Sequence, residues 1–218
     1  MLTYYFWVYK VTKYYLYKND LPDAFILSEM VAVDTEAMGL MNNRDRLCLV
    51  QLSIGDGKAH LIQFDGKDYS APNLKKLLTN KDVMKIYHYA RFDIAIMQHY
   101  LQAFSYPNYC TKIASKLART YTDHHSLREL CNELLDIRIN KNQQSSDWGK
   151  SVLTKEQLSY ASSDVIYLHQ IKERLDEMLL RENRYELAYG CFDFLKYRVE
   201  LDLAGWLEQD IFSHRVNN

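Results

Sequence analysis

The chain has 218 residues, 48% of them apolar, and a formal net charge of −1, enough length for one substantial core and too little charge for a protein that coats duplex nucleic acid through a global basic surface. A polyanionic partner would have to be met by local basic patches and metal ions. Seven glycines form neither a Walker loop nor a dinucleotide fingerprint, which excludes the nucleotide-cofactor enzymes of those classes; the four cysteines lack Cys-x-x-Cys or zinc spacing and point to reduced thiols in the cytoplasm.

Residues 1–18 are aromatic and basic without an acid, too short and too often broken by lysine to span a membrane, and without a clear small-residue cleavage site. Tyr14 to Tyr17 reads as a strand that turns at Asn19-Asp20-Leu21-Pro22, and the residues before it as an extension on the sheet edge; an aromatic arm that stacks on bases is the other reading. Met30-Val-Ala-Val-Asp-Thr-Glu36 is a short apolar run ending in two carboxylates, which is how a buried strand delivers acids to a sheet edge. Leu47 to Ile54 and, after Gly55-Asp56-Gly57, Ala59 to Phe64 complete an antiparallel meander. A short helix is expected over Pro72 to Leu78, a strand over Val83 to Tyr87 and a helix over Arg91 to Leu101. Two helices follow, Lys112 to Arg119 and Ser126 to Asp136, the second opened by the capping box Ser126-x-x-Glu129. After a polar loop from Ile137 to Ser151, the capping box Thr154-x-x-Gln157 starts one long helix to about Arg181, with apolar positions Leu158, Ala161, Val165, Leu168, Ile171 and Leu175. A further helix reaches about Leu195. Strands with interleaved helices and a helical second half give an α/β domain with a mixed sheet.

Side chains alternate along a strand, so Asp34 and Glu36 project together while Thr35 turns back. Alone this pair reads as a solvated acidic turn. Asp93 stands at the start of the helix after the fourth strand, where an acid also suits the helix dipole. Tyr160 and Asp164 are four apart and share a helix face, as a surface Tyr-carboxylate pair would. Together they supply four carboxylates and a phenol, the ligand set of hard divalent cations. Gln51, inside an apolar strand, reads as a satisfied core amide, and His124, His125 and His169 as surface residues. Lys112, Lys116, Arg119, Arg128, Lys141, Lys150 and Lys155 form a basic cluster, either a phosphate-contacting surface or a solvated face.

Val33-Asp34-Thr35-Glu36, His88-Tyr-Ala-Arg-Phe-Asp93 and Tyr160-Ala-Ser-Ser-Asp164 resemble the three motifs of the DEDD superfamily of 3′-5′ exonucleases, and Ser146-Asp147-Trp148 with the segment to Tyr160 is similar to ribonuclease D. The resemblance covers about residues 14–180. Histidine-type members carry their histidine five residues before the last aspartate; here Ser159 holds that place, so the chain resembles the tyrosine (DEDDy) type. The resemblance implies a ribonuclease H-like mixed five-stranded sheet, its first three strands antiparallel, flanked by helices. It implies a single exonuclease domain over 1–218 with a short helical tail, 182–218, and no additional helical nucleic-acid-binding domain.

The activity implied is removal of nucleoside 5′-monophosphates from single-stranded or frayed RNA 3′ ends by two-metal-ion hydrolysis. A DNA exonuclease of the same fold and a catalytically silent end-binding module are the alternatives. Asp34, Glu36 and Asp164 would hold one Mg²⁺ or Mn²⁺, and Asp34 with Asp93 a second about 4 Å away; Tyr160 would orient the attacking water. Met38, Leu40, His88, Gln144 and Trp148 are the expected substrate contacts. For Met38 and Leu40 a core role, and for Gln144 and Trp148 anchoring of the loop, is the other reading, and Tyr89 stands where relatives often carry a smaller residue or Asn. No membrane and no nucleotide cofactor enter this reading.

Overall fold

The computed structural model describes residues 13–25, 28–139, 143 and 145–214. The aromatic segment before Lys13, together with Lys141 and Gln144, lies outside the described residues. Six strands form one sheet in the order β1-β4-β3-β2-β5-β6: β1 (Lys13–Lys18), β2 (Met30–Ala37), β3 (Leu47–Ser53), β4 (Lys58–Gln63), β5 (Met84–Tyr87) and β6 (Asn108–Cys110). Burial follows position in this order. Every residue of β3 is buried because strands lie on both its sides and helices cover its faces, whereas β1, at the edge, is buried nowhere along its length. The β3–β4 turn needs two residues in the left-handed region, and Gly55 (φ 85°) and Gly57 (φ 75°) supply them.

Strands β2, β3 and β4 pair antiparallel as the meander predicts. Two features differ from the expected five-stranded sheet. The first strand runs parallel to β4, and a sixth strand, Asn108–Cys110, pairs parallel with β5. Three residues are too few to give a periodic signal, and the direction of an edge strand is set by the connection that returns it to the sheet, not by its own alternation. Because β5 also runs parallel to β2, the carboxyl ends of β2 and β5 open on the same edge, where ligands of parallel sheets collect.

Helices α1 (Pro72–Thr79), α2 (Ala90–Leu101), α3 (Thr111–Ala118), α4 (Leu127–Leu135), α5 (Lys155–Ile166), α6 (Leu168–Arg181) and α7 (Tyr185–Leu201) cover the sheet. Helix α1 has no cap of its own, and Asp20 caps it from afar, accepting from the backbone N–H of Asn73 at 3.0 Å and Leu74 at 2.9 Å. The capping boxes at Ser126 and Thr154 are both formed. The long helix expected to Arg181 is two helices that meet at Tyr167 (φ −100°, ψ −8°). The apolar stripe runs unbroken through the junction, so its period hides the bend; α5 leans on β2, β3 and β4 while α6 leans on β5, α3 and α4, and one straight rod cannot follow a twisted sheet that far.

The segment after Glu182 is a built part of the fold. Helix α7 packs on α2 and α3 and ends in a turn of π-helix, Asp202–Trp206. There Asp202, 9% exposed, takes a two-point bond from Arg91 of α2, with Nη2 2.7 Å from Oδ1, and a second from Arg198. Among the described residues no helix is long and apolar enough to cross a membrane.

Candidate active site

Alternation along β2 brings Asp34 and Glu36 to one face, and α5 crosses that face with Tyr160 and Asp164 one turn apart. Carboxylate oxygens of Asp34, Glu36 and Asp164 all lie within 4.8 Å of one another. Asp93, in the first turn of α2 and 3% exposed, comes from the other side of the sheet, and Thr35 reaches it: the Thr35 hydroxyl donates to Asp93 Oδ1 at 2.7 Å. Thr35 is thus more than a spacer. The backbone that aims two carboxylates one way aims a donor at a third, a role that no local spacing reveals because 58 residues separate the partners.

Burial raises the pKa of Asp34 and Glu36 well above the usual carboxylate range, and the charges of Asp93 and Asp164 push both further up. Asp93 is raised to about 7, chiefly by burial, although the Thr35 hydrogen bond pulls the other way. No lysine or arginine among the described residues forms an ion pair with Asp34, Glu36 or Asp93. A cluster of carboxylates at this spacing either retains protons or binds cations, and the all-oxygen donor set suits Mg²⁺ or Mn²⁺.

A pH dependence follows with a definite sign. Acids whose folded pKa exceeds the unfolded value of about 4 stabilise the fold fully below that pH and lose the contribution as pH rises through the folded pKa, here about 7 for Asp93. In EDTA the melting temperature is expected to fall between pH 5 and pH 8, and Mn²⁺ added at pH 8 should restore it. Scanning calorimetry across that range checks both; a flat profile in EDTA would contradict the mutual repulsion of these acids.

The acids open into a cleft of about 580 Å³. Tyr160 lies at its wall, and burial followed by the adjacent carboxylates raises its pKa, so the phenol keeps its proton. Trp148, 2% exposed, stands behind it with ring centroids 6.1 Å apart. Met38 and Leu40 line the cleft and are 51% and 81% exposed, which places them on the surface and not in the core. His88 also lines it. Its Nδ1 lies 2.9 Å from the Thr111 hydroxyl, which also lies 3.0 Å from the Tyr87 carbonyl. Gln144 lies outside the described residues.

Some cleft features had no sequence signal. Tyr89 caps α2 in the left-handed region (φ 76°), and its ring, 46% exposed, carries the Lys112 ammonium 4.7 Å from its centroid. Among the described residues of the basic cluster, Lys112 lines the cleft. Arg119 is fully buried and bonded to Ser115, the His124 carbonyl and Glu133, so it cannot meet phosphate. The three histidines all have partners: His124 with Glu129, His125 with Ser115 and His169 with the Met30 carbonyl. Gln51 departs furthest from expectation. It is fully buried, yet neither its amide oxygen nor its nitrogen has a partner, an arrangement that costs about 1–3 kcal/mol per unmet group.

Residues 17–180 match a family model described as 3′-5′ exonuclease. Among curated proteins, ribonuclease D of Nitrobacter hamburgensis is 30% identical over 86% of this chain and 55% of its own length, and that of Acidiphilium cryptum 32% identical over 83% of this chain and 46% of its own. The chain thus spans about half the length of these relatives. Among solved structures, Brucella melitensis NrnC bound to pGG superposes with a TM-score of 0.90 at 50% identity, covering 94% of this chain and all of that one, and the same protein with bound Mg²⁺ gives 0.88. Escherichia coli RNase D shares the fold at 22% identity and a TM-score of 0.71 over 79% of this chain and 45% of its own.

Proposed function

This chain belongs to the 3′-5′ exonuclease family, and from that premise we propose that it is a metal-dependent exoribonuclease, removing nucleoside 5′-monophosphates from RNA 3′ ends. The observation that carries the reading is the convergence of three carboxylates to within 4.8 Å beside a protonated phenol at the wall of a cleft. Asp34, Glu36 and Asp164 would hold one Mg²⁺ or Mn²⁺, and Asp34 with Asp93 a second. Cations bound there supply Lewis acidity at the phosphodiester and a water of lowered pKa. That a similar protein is solved with bound Mg²⁺, and also bound to pGG, supports both the ion class and the ligand class.

The chain's own residues do the rest. Tyr160, half-buried and kept protonated, has one hydroxyl with which to orient a water toward the terminal phosphodiester, and Trp148 holds its ring in place. Thr35 fixes one oxygen of Asp93 through its hydroxyl. Met38 and Leu40 offer exposed apolar surface for a base and sugar, while His88 presents a ring held by its Nδ1 against the Thr111 hydroxyl. Lys112, held against Tyr89, puts a cation in a cleft otherwise rich in acids, where a backbone phosphate needs one. The sheet, its helices and the α7 tail act together as one exonuclease unit.

End-labelled RNA and DNA oligonucleotides of matched sequence, incubated with Mg²⁺, Mn²⁺ or EDTA, test this directly. A ladder shortened from the 3′ end of RNA, absent in EDTA, is expected. Equal cutting of both polymers would defeat the RNA preference, cutting of DNA in preference to RNA would give the DNA reading, and binding without any ladder would leave an end-binding module. Tyr160→Phe is expected to lower kcat about tenfold to a hundredfold through loss of water positioning, with cation affinity unchanged by calorimetry. Loss of cation binding in that variant would refute the role given to the phenol.

A further inference from the structure

Gln51 sits on β3 directly opposite Asp34 on β2. Opposed residues of an antiparallel pair project from the same face, so the Gln51 amide lies on the face of Asp34, with Leu61 of β4 on its far side and α5, the helix of Asp164, packed across. It is 0% exposed, and both amide atoms lack a partner, although its neighbours in β3, Leu49, Val50 and Leu52, are apolar and fully buried. A core position of this kind is best filled by leucine or methionine of like volume, since an unpaired buried amide destabilises the fold. A polar group kept at such a cost next to a cluster of acids has its partner there.

We propose that Gln51 is a positioning residue for Asp34, its carboxamide N–H serving as the outer hydrogen-bond donor that orients the Asp34 carboxylate when a divalent cation is held by Asp34, Glu36 and Asp164. The proposal rests on the metal-site reading given above. A carboxylate that gives one oxygen to a cation still has lone pairs to satisfy, and residues that satisfy them typically change cation affinity tenfold to a hundredfold when removed. Among the described residues Gln51 is the buried side-chain amide that lies opposite Asp34 and has no bond elsewhere. It would touch neither the substrate nor the ion.

The test uses the full chain and Mn²⁺ alone, with no nucleic acid. Gln51→Met is expected to leave the melting temperature in EDTA unchanged or higher, because an unmet amide is removed at nearly constant volume, and to weaken Mn²⁺ binding in calorimetry about tenfold to a hundredfold. Gln51→Leu, of different shape, should do the same. A fall of the EDTA melting temperature by more than about 5 °C in both variants would make the amide a structural group and overturn the proposal. Mn²⁺ affinity within twofold of the parent in both, while Asp34→Ala abolishes binding, would overturn it as well and leave the metal site standing. If Asp34→Ala also bound Mn²⁺ as the parent does, the metal-site reading itself would fall.

Discussion

Asp34→Asn is expected to reduce exonuclease turnover by a factor of about 10³ or more while leaving the protein folded and, in EDTA at pH 8, more stable than the parent. Asparagine matches the shape of aspartate but cannot carry charge. The lost electrostatic stabilisation of a phosphoryl-transfer transition state is of the order of 4 kcal/mol, which corresponds to about three decades in rate. The stability gain has the opposite cause. Asp34 is partly desolvated, with Asp93, Asp164 and Glu36 all repelling its charge, so removing it relieves the cluster when no cation is present. Glu36→Gln and Asp164→Asn should behave in the same way, because their oxygens share the 4.8 Å cluster. Single-turnover rates with labelled RNA, read beside melting curves with and without Mn²⁺, separate the two effects. A variant that keeps more than a tenth of the parent rate would remove its residue from the site.

Lys85→Met is expected to cost about 3 kcal/mol of stability, the largest loss foreseen for a side chain remote from the cleft. Lys85 is fully buried, and its ammonium donates to the carbonyls of Asn80 at 2.8 Å, Val83 at 2.7 Å and Tyr106 at 2.5 Å. One side chain therefore closes the turn after α1 and the loop before β6. Methionine fills the stem but donates nothing, and three carbonyls, one buried and two partly buried, lose a charged partner worth about 1.5–3 kcal/mol at the buried one and less at the others. Removing the desolvated charge returns part of that, which is why the net figure is below the sum. In a protein of this size the loss corresponds to a melting temperature lowered by about 6–12 °C. Urea denaturation measures it, and Mn²⁺ affinity at 10 °C should stay at the parent value, since Lys85 touches no cleft residue. A change below about 1 kcal/mol would mean that other donors reach the three carbonyls.

These two variants mark the two halves of what was legible. The acids of the cluster announced themselves through local rules. A strand repeats every two residues, so Asp34 and Glu36 had to share a face; a helix brings i and i+4 together, so Tyr160 and Asp164 had to be neighbours. Both capping boxes formed where Ser126 and Thr154 stand because each needs only three residues of spacing. Lys85, by contrast, sits inside a strand that reads as any other, and no spacing rule tells that its ammonium folds back on the Asn80 and Val83 carbonyls and meets that of Tyr106, 21 residues on. Arg119 misled for the same reason: it belongs by spacing to a basic cluster, and only the packing of α3 and α4 on α6 brings it against Glu133. The helix from Thr154 to Arg181 kept its apolar stripe through a bend because the stripe records which face is buried and says nothing of the direction of the axis.

By itself the sequence determined the α/β class, the antiparallel meander, the two capping boxes, and the shared faces of Asp34 with Glu36 and of Tyr160 with Asp164, all features set by contacts within a few residues or by short periodicity. The tertiary structure alone decided that β1 runs parallel to β4, that Asn108–Cys110 is a strand, that Arg91 and Asp202, 111 residues apart, tie the tail to the helix of Asp93, that Thr35 serves Asp93, and that Gln51 is an unmet amide opposite Asp34. The physical reason is common to all of them. Backbone geometry is periodic and can be counted along the chain, whereas the pairing of distant segments depends on which buried surfaces and polar groups find one another once the chain has closed on itself.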